Sequence, residues 1–232
     1  LNFFFGKNRY YLPVITKIRK LYLNSYQLAG LEDFYPLCIA IQNNGNNTID
    51  FLLFSKQDML IADKSPIITI ISGSSRDDNN SKKVALEYQR LLRLKEIESA
   101  LLSLDELDVL HRNADFLEME NRFLIPASKF IIIMPEYNGS YPGILKLMID
   151  NTDVAKAWAH KKVLLTGIST GRAGNLRGME HLTGSLLHMK MNVHHNRLPI
   201  SQVNKLMNEQ FQFADQATLQ AIQAQLDDFL TF

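Results

Sequence analysis

Along residues 59–232, short apolar runs alternate with stretches whose apolar positions recur every three to four residues. Ile67-Ile68-Thr69-Ile70-Ile71 lies between Pro66 and Gly73. It is apolar without alternation, the pattern of a strand covered on both faces. After Ser81, the residues Val84, Tyr88, Leu91 and Leu92 share one helical face. Residues 100–104 form a second expected strand. Residues 105–116 read as a loop with a weak helical turn, and 118–123 as a short helix before Pro126. Lys129-Phe130-Ile131-Ile132-Ile133-Met134 is the third strand. A turn-rich loop leads from it to a helix that starts at Ile144, Leu147 and Met148 and ends near Asn151. Val163-Leu164-Leu165-Thr166-Gly167-Ile168 is the fourth, followed by a Gly-rich loop and a helix through Leu182, Leu186 and Leu187. Residues 191–196 make a shorter fifth strand, and Leu219, Ile222, Leu226 and Phe229 stripe a C-terminal helix.

Strands alternating with helices of this length mean βαβ units. The expected fold is α/β: a flavodoxin-like, doubly wound, five-stranded parallel sheet of order 2-1-3-4-5, with helices on both faces. In such sheets ligands sit beyond the carboxyl ends of the strands, at the switch point. The loops after strands one, three and four should therefore converge on one site.

Composition changes this picture mainly at the N-terminus. The chain opens with Leu1, its first methionine is Met59, and six of its 13 Phe and five of its eight Tyr precede that residue. The same stretch holds the Asn43, Asn44, Asn46, Asn47 cluster, the single Cys38, and a start that carries Lys7, Arg9, Lys17, Arg19 and Lys20 without an acid. Three readings compete for residues 1–58. A targeting peptide would need an apolar h-region and a small-residue cleavage pattern, which are missing. A genuine extra segment would put short strands at 3–5 and 51–54. The reading favoured here is that 1–58 is not part of the working protein, as if AT-rich upstream DNA were read in frame; residues 59–232 are then the whole working domain.

Charge excludes broad partner classes. The full chain has 25 basic and 24 acidic residues, and 59–232 has 19 and 20, so no global field draws in nucleic acid or an acidic membrane surface. No run of apolar residues is long enough to span a bilayer. One cysteine cannot make an internal disulfide, which fits a reducing, cytoplasmic setting.

The loop after strand one, Ser72-Gly73-Ser74-Ser75-Arg76-Asp77-Asp78-Asn79-Asn80-Ser81, leads into a helix. A helix N-terminus offers free N–H groups and a positive dipole end. Ser74, Ser75 and Ser81 add hydroxyls, and Arg76 adds a fork that fits phosphate. An ordinary βα turn capped by Ser81 would carry similar residues, and Asp77 and Asp78 oppose an anion unless they point outward. The loop lacks the Gly-Lys-Ser/Thr of a P-loop and the Gly-x-Gly-x-x-Gly of dinucleotide binding. A monophosphate held by hydroxyls and one Arg points to a mononucleotide such as FMN.

The loop after strand three reads Pro135-Glu136-Tyr137-Asn138-Gly139-Ser140-Tyr141-Pro142-Gly143-Ile144-Leu145-Lys146, with Ile149-Asp150 following. This resembles the hallmark of the NADPH-dependent FMN reductases, which include flavodoxin-like quinone, azo-dye and chromate reductases. The first loop resembles that family's phosphate loop, and Ser169-Thr170-Gly171-Arg172-Ala173-Gly174 its third, Gly-rich loop. The likeness covers about 59–232. It departs at Asn79, where a Ser or Thr is usual and where Ser81 could take over the contact. It departs also at Ala173, where a second Gly is usual, and at Asn151, where a Trp is usual. The residues themselves are compatible with the resemblance. Asn138-Gly139 tolerates positive φ, so backbone N–H groups can turn towards the polar edge of a flavin, and Tyr137 offers a ring face and a hydroxyl.

The resemblance implies FMN and NADPH as cofactors. It places FMN against Ser74, Ser75, Arg76, Asn79, Asn80, Ser81, Pro135, Glu136, Tyr137, Asn138, Gly139, Ser169, Thr170 and Gly171. Arg172 and Arg177 would meet the 2′-phosphate of NADPH. The implied activity passes a hydride from NADPH through FMN to a quinone, an azo compound, free flavin or a metal oxyanion, in a homodimer or homotetramer. A non-enzymatic flavodoxin-like electron carrier or redox sensor is the rival, disfavoured because flavodoxins are strongly acidic. No catalytic side chain is nominated and no metal is expected. His111, His160, His181 and His188 have no ligand spacing, and His194 and His195, adjacent on a strand, should face opposite ways. Trp158 is expected in the core.

Overall fold

The computed structural model describes residues 37–42, 49–54 and 68–232. The chain divides into two units, Leu1–Lys64 and Ser65–Phe232. In the first, β1 (Leu37–Gln42) pairs antiparallel with β2 (Ile49–Phe54), Leu37 opposite Phe54. The expected strand at 51–54 falls within β2, and the one at 3–5 lies outside the described residues, as does Ile67.

The second unit is a parallel sheet of order β4-β3-β5-β6-β7, with β8 also paired to β6. Its strands are β3 (Ile68–Ser72), β4 (Ser99–Ser103), β5 (Lys129–Pro135), β6 (Lys162–Ile168), β7 (Asn192–Val193) and β8 (Leu198–Ile200). Counted within this unit, the order is the expected 2-1-3-4-5. The helices are α1 (Asn80–Leu94), α2 (Ala114–Met119), α3 (Gly143–Asn151), α4 (Val154–Ala157), α5 (Leu176–His188) and α6 (Gln216–Thr231).

Alternation along β5 shows why its run is apolar throughout. Phe130 and Ile132 point into one core layer with Trp158, Leu182 and Leu186; Ile131 and Ile133 point into the other with Val84, Tyr88, Leu226 and Phe229. One face is therefore covered by α3 and α5, the other by α1 and α6. Each fully buried Ile or Leu contributes about 1.5–3 kcal/mol, so a strand buried on both sides is strongly held. Trp158 is a core residue: its Nε1 donates to Thr152 Oγ1 at 2.7 Å and its ring lies 4.8 Å from that of Phe130. A buried polar knot ties the other layer. Tyr88 Oη donates to Gln225 Oε1 (2.7 Å), and Gln225 Nε2 donates to the carbonyls of Leu165 and Asn196.

Three local expectations are corrected. The helix placed at 118–123 begins earlier, at Ala114, because Asn113 Oδ1 accepts the Phe116 N–H (2.9 Å) and caps it; the path continues as one wide turn, Glu120–Leu124. The first helix is capped by Asn79, not Ser81: Asn79 Oδ1 accepts the Lys82 N–H at 2.8 Å. The fifth strand, expected over 191–196, is cut short to Asn192–Val193; a further strand that was not expected, β8, follows at Leu198–Ile200, and His194 and His195 lie in the break between them. Freed from strand alternation, their rings sit side by side, 4.5 Å apart, instead of on opposite faces.

Both His Nε2 atoms approach Asp228 Oδ2, at 3.4 and 3.5 Å. His194 Nδ1 accepts the Asn196 N–H (3.3 Å), so the neutral ring carries its hydrogen on Nε2, facing Asp228. The three side chains thus come together as a clasp between the strand break and α6. His194 is 1% exposed, and burial holds its imidazole below its ordinary 6.5, against the opposing pull of Asp228. The unfolded chain then binds this proton more readily than the folded one, so stability falls as pH drops below 6.5 and levels off above it. Melting temperatures followed from about pH 7 to about pH 5 should show this slope, and His194→Gln should flatten it.

Candidate functional site

The first loop leaves β3 through Gly73, whose N–H donates to the Ile133 carbonyl at 2.8 Å. A Cβ there would meet Leu145 Cδ2 at 3.1 Å and the Ile133 carbonyl at 3.3 Å, so glycine allows this close crossing. Asn79 then shapes the loop from within. Besides capping α1, its Nδ2 donates to the Arg76 carbonyl (2.7 Å) and lies 3.4 Å from Asp105 Oδ2, which also accepts from Lys82 Nζ at 3.1 Å. Its polar atoms are thus engaged inside the protein rather than offered to a ligand. Ser81, the second residue of α1, has the opposite character: it is fully buried and its Oγ has no partner among the described residues. The N–H groups of a first helical turn lack intrahelical partners, and no acidic residue occupies that turn here. Asp78 is exposed and paired with Lys83 Nζ at 2.8 Å.

The second loop leaves β5 at Pro135. Its Glu136 N–H donates to the Ile168 carbonyl at 3.1 Å. Tyr137 and Ser140 exchange N–H···O bonds of 2.9 and 3.1 Å across Asn138 (φ 52°) and Gly139 (φ 76°). Two central residues in the left-handed region define a tight two-residue hairpin turn, for which Asn-Gly is the favoured pair. The N–H groups of Glu136 and Tyr137 are therefore taken; those of Asn138 and Gly139 have no partner among the described residues. Tyr137 is also not a free platform. Its hydroxyl shares a 2.7 Å bond with Ser74 Oγ, and the Arg76 guanidinium stands 4.1 Å above its ring. These two contacts lock the first loop to the second.

The third loop is organised by Ser169, whose Oγ donates to the Gly171 carbonyl (3.0 Å) and accepts the Gly174 N–H (2.9 Å). Gly174 has φ 58°, and a Cβ on it would lie 2.7 Å from Pro199 Cβ. Gly171 is in open surroundings, so nothing there requires glycine for space. The loop ends at Asn175, fully buried, whose Nδ2 donates to the Met134 and Pro135 carbonyls at 3.1 and 2.9 Å.

The three loops border one cleft of about 440 Å³, within the usual range for a small-molecule site. Of the residues expected to bind a ligand, Arg76, Asn79, Asn80 and Ser81 line its first wall; Pro135, Glu136, Tyr137 and Asn138 line the second; Ser169 and Thr170 line the third. Ser74, Ser75, Gly139 and Gly171 are not on its wall: Ser74 lies buried behind Tyr137, and the Gly171 carbonyl turns to Ser169 Oγ and the Gln202 N–H. Asp77, Asp78, Ile168 and Val203 also line the cleft and were not anticipated. Neither Arg172 nor Arg177 lines it; Arg177 reaches over the hairpin turn, where a Cβ on Gly139 would meet its Nη1 at 2.8 Å. Next to it, Ser140 Oγ and His181 Nδ1 share a 2.9 Å bond.

These features fit FMN on physical grounds. A buried Ser81 hydroxyl without a partner among the described residues, at a helix N-terminus and with Arg76 at the same wall, suits a singly phosphorylated anion. On the second wall, the Asn138 N–H has no partner among the described residues, and that of Gly139 lies next to it in the turn, which suits the hydrogen-bonding edge of a flavin.

Comparison with known proteins agrees. The family model of the NADPH-dependent FMN reductases matches residues 66–205. Among solved structures, the chain is similar to FerB, a flavoenzyme NAD(P)H:(acceptor) oxidoreductase from Paracoccus denitrificans, at 25% identity and TM-score 0.59, over 71% of this chain and 94% of FerB. It is similar in fold to the apo form of the NADH:FMN oxidoreductase EmoB, at 20% identity and TM-score 0.56, over 71% of this chain and 89% of EmoB. The flavodiiron core Flv1 from Synechocystis sp. PCC6803 shares the fold at 14% identity and TM-score 0.52, over 76% of this chain and 38% of Flv1. No curated protein sequence matches the chain. Among the described residues no helix is long and apolar enough to cross a membrane. With its matched segment spanning the sheet, all three loops and the cleft, the chain belongs to the NADPH-dependent FMN reductase family, whose cofactors are FMN and NAD(P)H.

Proposed function

We propose that this protein oxidises NADPH and delivers the electrons to a small diffusible acceptor: a quinone, an azo compound, free flavin or a metal oxyanion. The observation that carries the reading is the pairing, along one cleft, of the Ser81 hydroxyl, buried at a helix N-terminus without a partner among the described residues, with the Asn138 N–H, likewise unpartnered, in the turn that also holds Gly139 just off the wall. FerB's description as an NAD(P)H:(acceptor) oxidoreductase supports the same class of reaction.

FMN, when bound, would supply the hydride-transfer chemistry. The chain's residues bind and orient. Asn80, Ser81 and Arg76 would hold the phosphate. The backbone N–H groups of the Asn138-Gly139 turn would donate to the ring's polar edge. Ile168 and Val203 give the cleft an apolar flank. Thr170, exposed at the rim, faces the donor and acceptor as they exchange. Orientation by backbone donors needs no side-chain acid or base, so no such residue is assigned.

The test is a visible spectrum of the purified protein, release and identification of its chromophore, and steady-state NADPH oxidation with menadione. A colourless protein that refuses added FMN would sink the proposal. A yellow protein that NADPH never reduces would instead be an electron carrier or sensor. We further propose that the working unit is residues 59–232, cytoplasmic, acting as a homodimer or homotetramer. A chain starting at Met59 should keep the FMN content and melting temperature of the full chain; loss of bound FMN on that truncation would show that the first 58 residues contribute.

A further inference from the structure

Asn175 occupies the N-cap position of α5 yet caps nothing. An Asn at that position normally turns its side chain onto the N–H groups of the first helical turn, worth about 1 kcal/mol. Here the side chain turns the other way, and the backbone takes a left-handed conformation, φ 61° and ψ 34°. The carboxamide crosses from the third loop to the end of β5. Its Nδ2 donates to the Met134 and Pro135 carbonyls, the last two of the strand before the hairpin turn. Its Oδ1 is buried without a partner among the described residues. Two glycines make room for it. A Cβ on Gly178 would lie 2.0 Å from Asn175 Oδ1, and one on Gly167 would lie 3.0 Å from Asn175 Cβ. A left-handed backbone, a forgone cap, an orphaned oxygen and two hollowed neighbours all carry costs, and they converge on one strut.

That strut joins the two loops that would flank the flavin ring. We propose that Asn175 is the positioning residue of the ring site: by holding the Met134 and Pro135 carbonyls it sets the height and tilt of the Asn138-Gly139 turn, and so aims that turn's free N–H groups. The proposal rests on the reading of the cleft as an FMN site. Asn175 does not line the cleft, so it acts only through the loop. Backbone donors at the ring's polar edge stabilise the negative charge that reduction places there, and their alignment therefore bears on both affinity and potential.

Three full-length variants test this. Asn175→Gly accepts the left-handed backbone and removes the strut without adding atoms. Asn175→Asp keeps the shape but sets a carboxylate against two carbonyl oxygens. Gly178→Ala keeps Asn175 but presses on its carboxamide, and also on the Tyr141 backbone nitrogen of the second loop, which the added Cβ would meet at 2.8 Å. FMN dissociation constants, the midpoint potential of bound FMN and the melting temperature of the FMN-free protein are measured for each. The expected result is an FMN dissociation constant raised about tenfold or more in Asn175→Asp, a smaller rise in Asn175→Gly, and a more negative potential in both. Gly178→Ala should move both quantities in the same direction. Unchanged FMN affinity and potential in Asn175→Gly, with only the melting temperature lowered, would overturn the proposal by showing a purely structural strut. If the unmodified protein itself does not take up FMN, the reading of the cleft fails instead, and the two failures are told apart.

Discussion

Replacing Gly167 with valine should abolish FMN retention and lower the melting temperature by about 2–12 °C. Gly167 lies in β6 opposite Met134 of β5 and Pro199 of β8. A single Cβ added there would meet the Gly174 carbonyl oxygen at 2.4 Å, Asn175 Cβ at 3.0 Å and Met179 Cε at 3.1 Å. The methionine tip can swing away, but the Gly174 carbonyl cannot: the Gly174 N–H is tied to Ser169 Oγ, and a Cβ on that residue would itself strike Pro199. The third loop must therefore lift off the sheet. Overpacking of this kind costs typically about 1–3 kcal/mol and sometimes more, and for a domain of this size each kcal/mol lowers the melting temperature by about 2–4 °C. The displaced loop carries Ser169, Thr170 and Asn175, so the ring site loses one wall and its strut together. Calorimetry and the ratio of flavin to protein after purification check both halves. A yellow valine variant with an unchanged melting temperature would show that the loop is not packed as described.

Ser81→Ala should weaken FMN binding by about tenfold to a hundredfold while leaving the FMN-free protein as stable as before or slightly more so. The two signs come from the same atom. Among the described residues the buried Ser81 hydroxyl has no partner, and a buried hydroxyl left unpaired costs about 1–3 kcal/mol relative to an apolar group of the same shape. On binding, it gains a phosphate oxygen, and a hydrogen bond to a charged group is worth about 1.5–3 kcal/mol. Riboflavin, which lacks the phosphate, should bind the alanine variant and the unmodified protein equally. Equal FMN affinity in the two proteins would remove Ser81 from the phosphate site. Arg76→Ala should also weaken FMN binding, but with loss of riboflavin affinity as well, because Arg76 stands over Tyr137 and joins the two loops.

The strands were legible because burial on both faces leaves an unbroken apolar run, as at Ile131-Ile132-Ile133, and the helices because one stripe such as Val84, Tyr88, Leu91 faces the core. The hairpin turn was legible for a local reason: Asn138-Gly139 is the pair that tolerates two successive positive φ values. Local patterning failed where a distant partner decides. The run 191–196 reads as one strand, yet it pairs only through Val193; the following residues meet α6 at Asp228, and a separate strand, β8, then pairs with the far half of β6. Ser81 looked like a cap because serine at a helix start usually is one; Asn79 captured that role, helped by Asp105 at the end of the neighbouring strand.

What the amino-acid order determined by itself is what depends on neighbours in sequence: the alternation of strand and helix, the parallel sheet, and the three strand-end loops that must meet beyond it. Which atoms in those loops remain available was decided only by folding. Tyr137 is covered by Arg76 and bonded to Ser74, 63 residues away. Asn175 is committed to carbonyls 40 and 41 residues earlier. Hydrogen bonds saturate, so a donor or acceptor taken by a distant part of the chain is lost to a ligand, and only the tertiary structure reveals which, like the Ser81 hydroxyl, are left over.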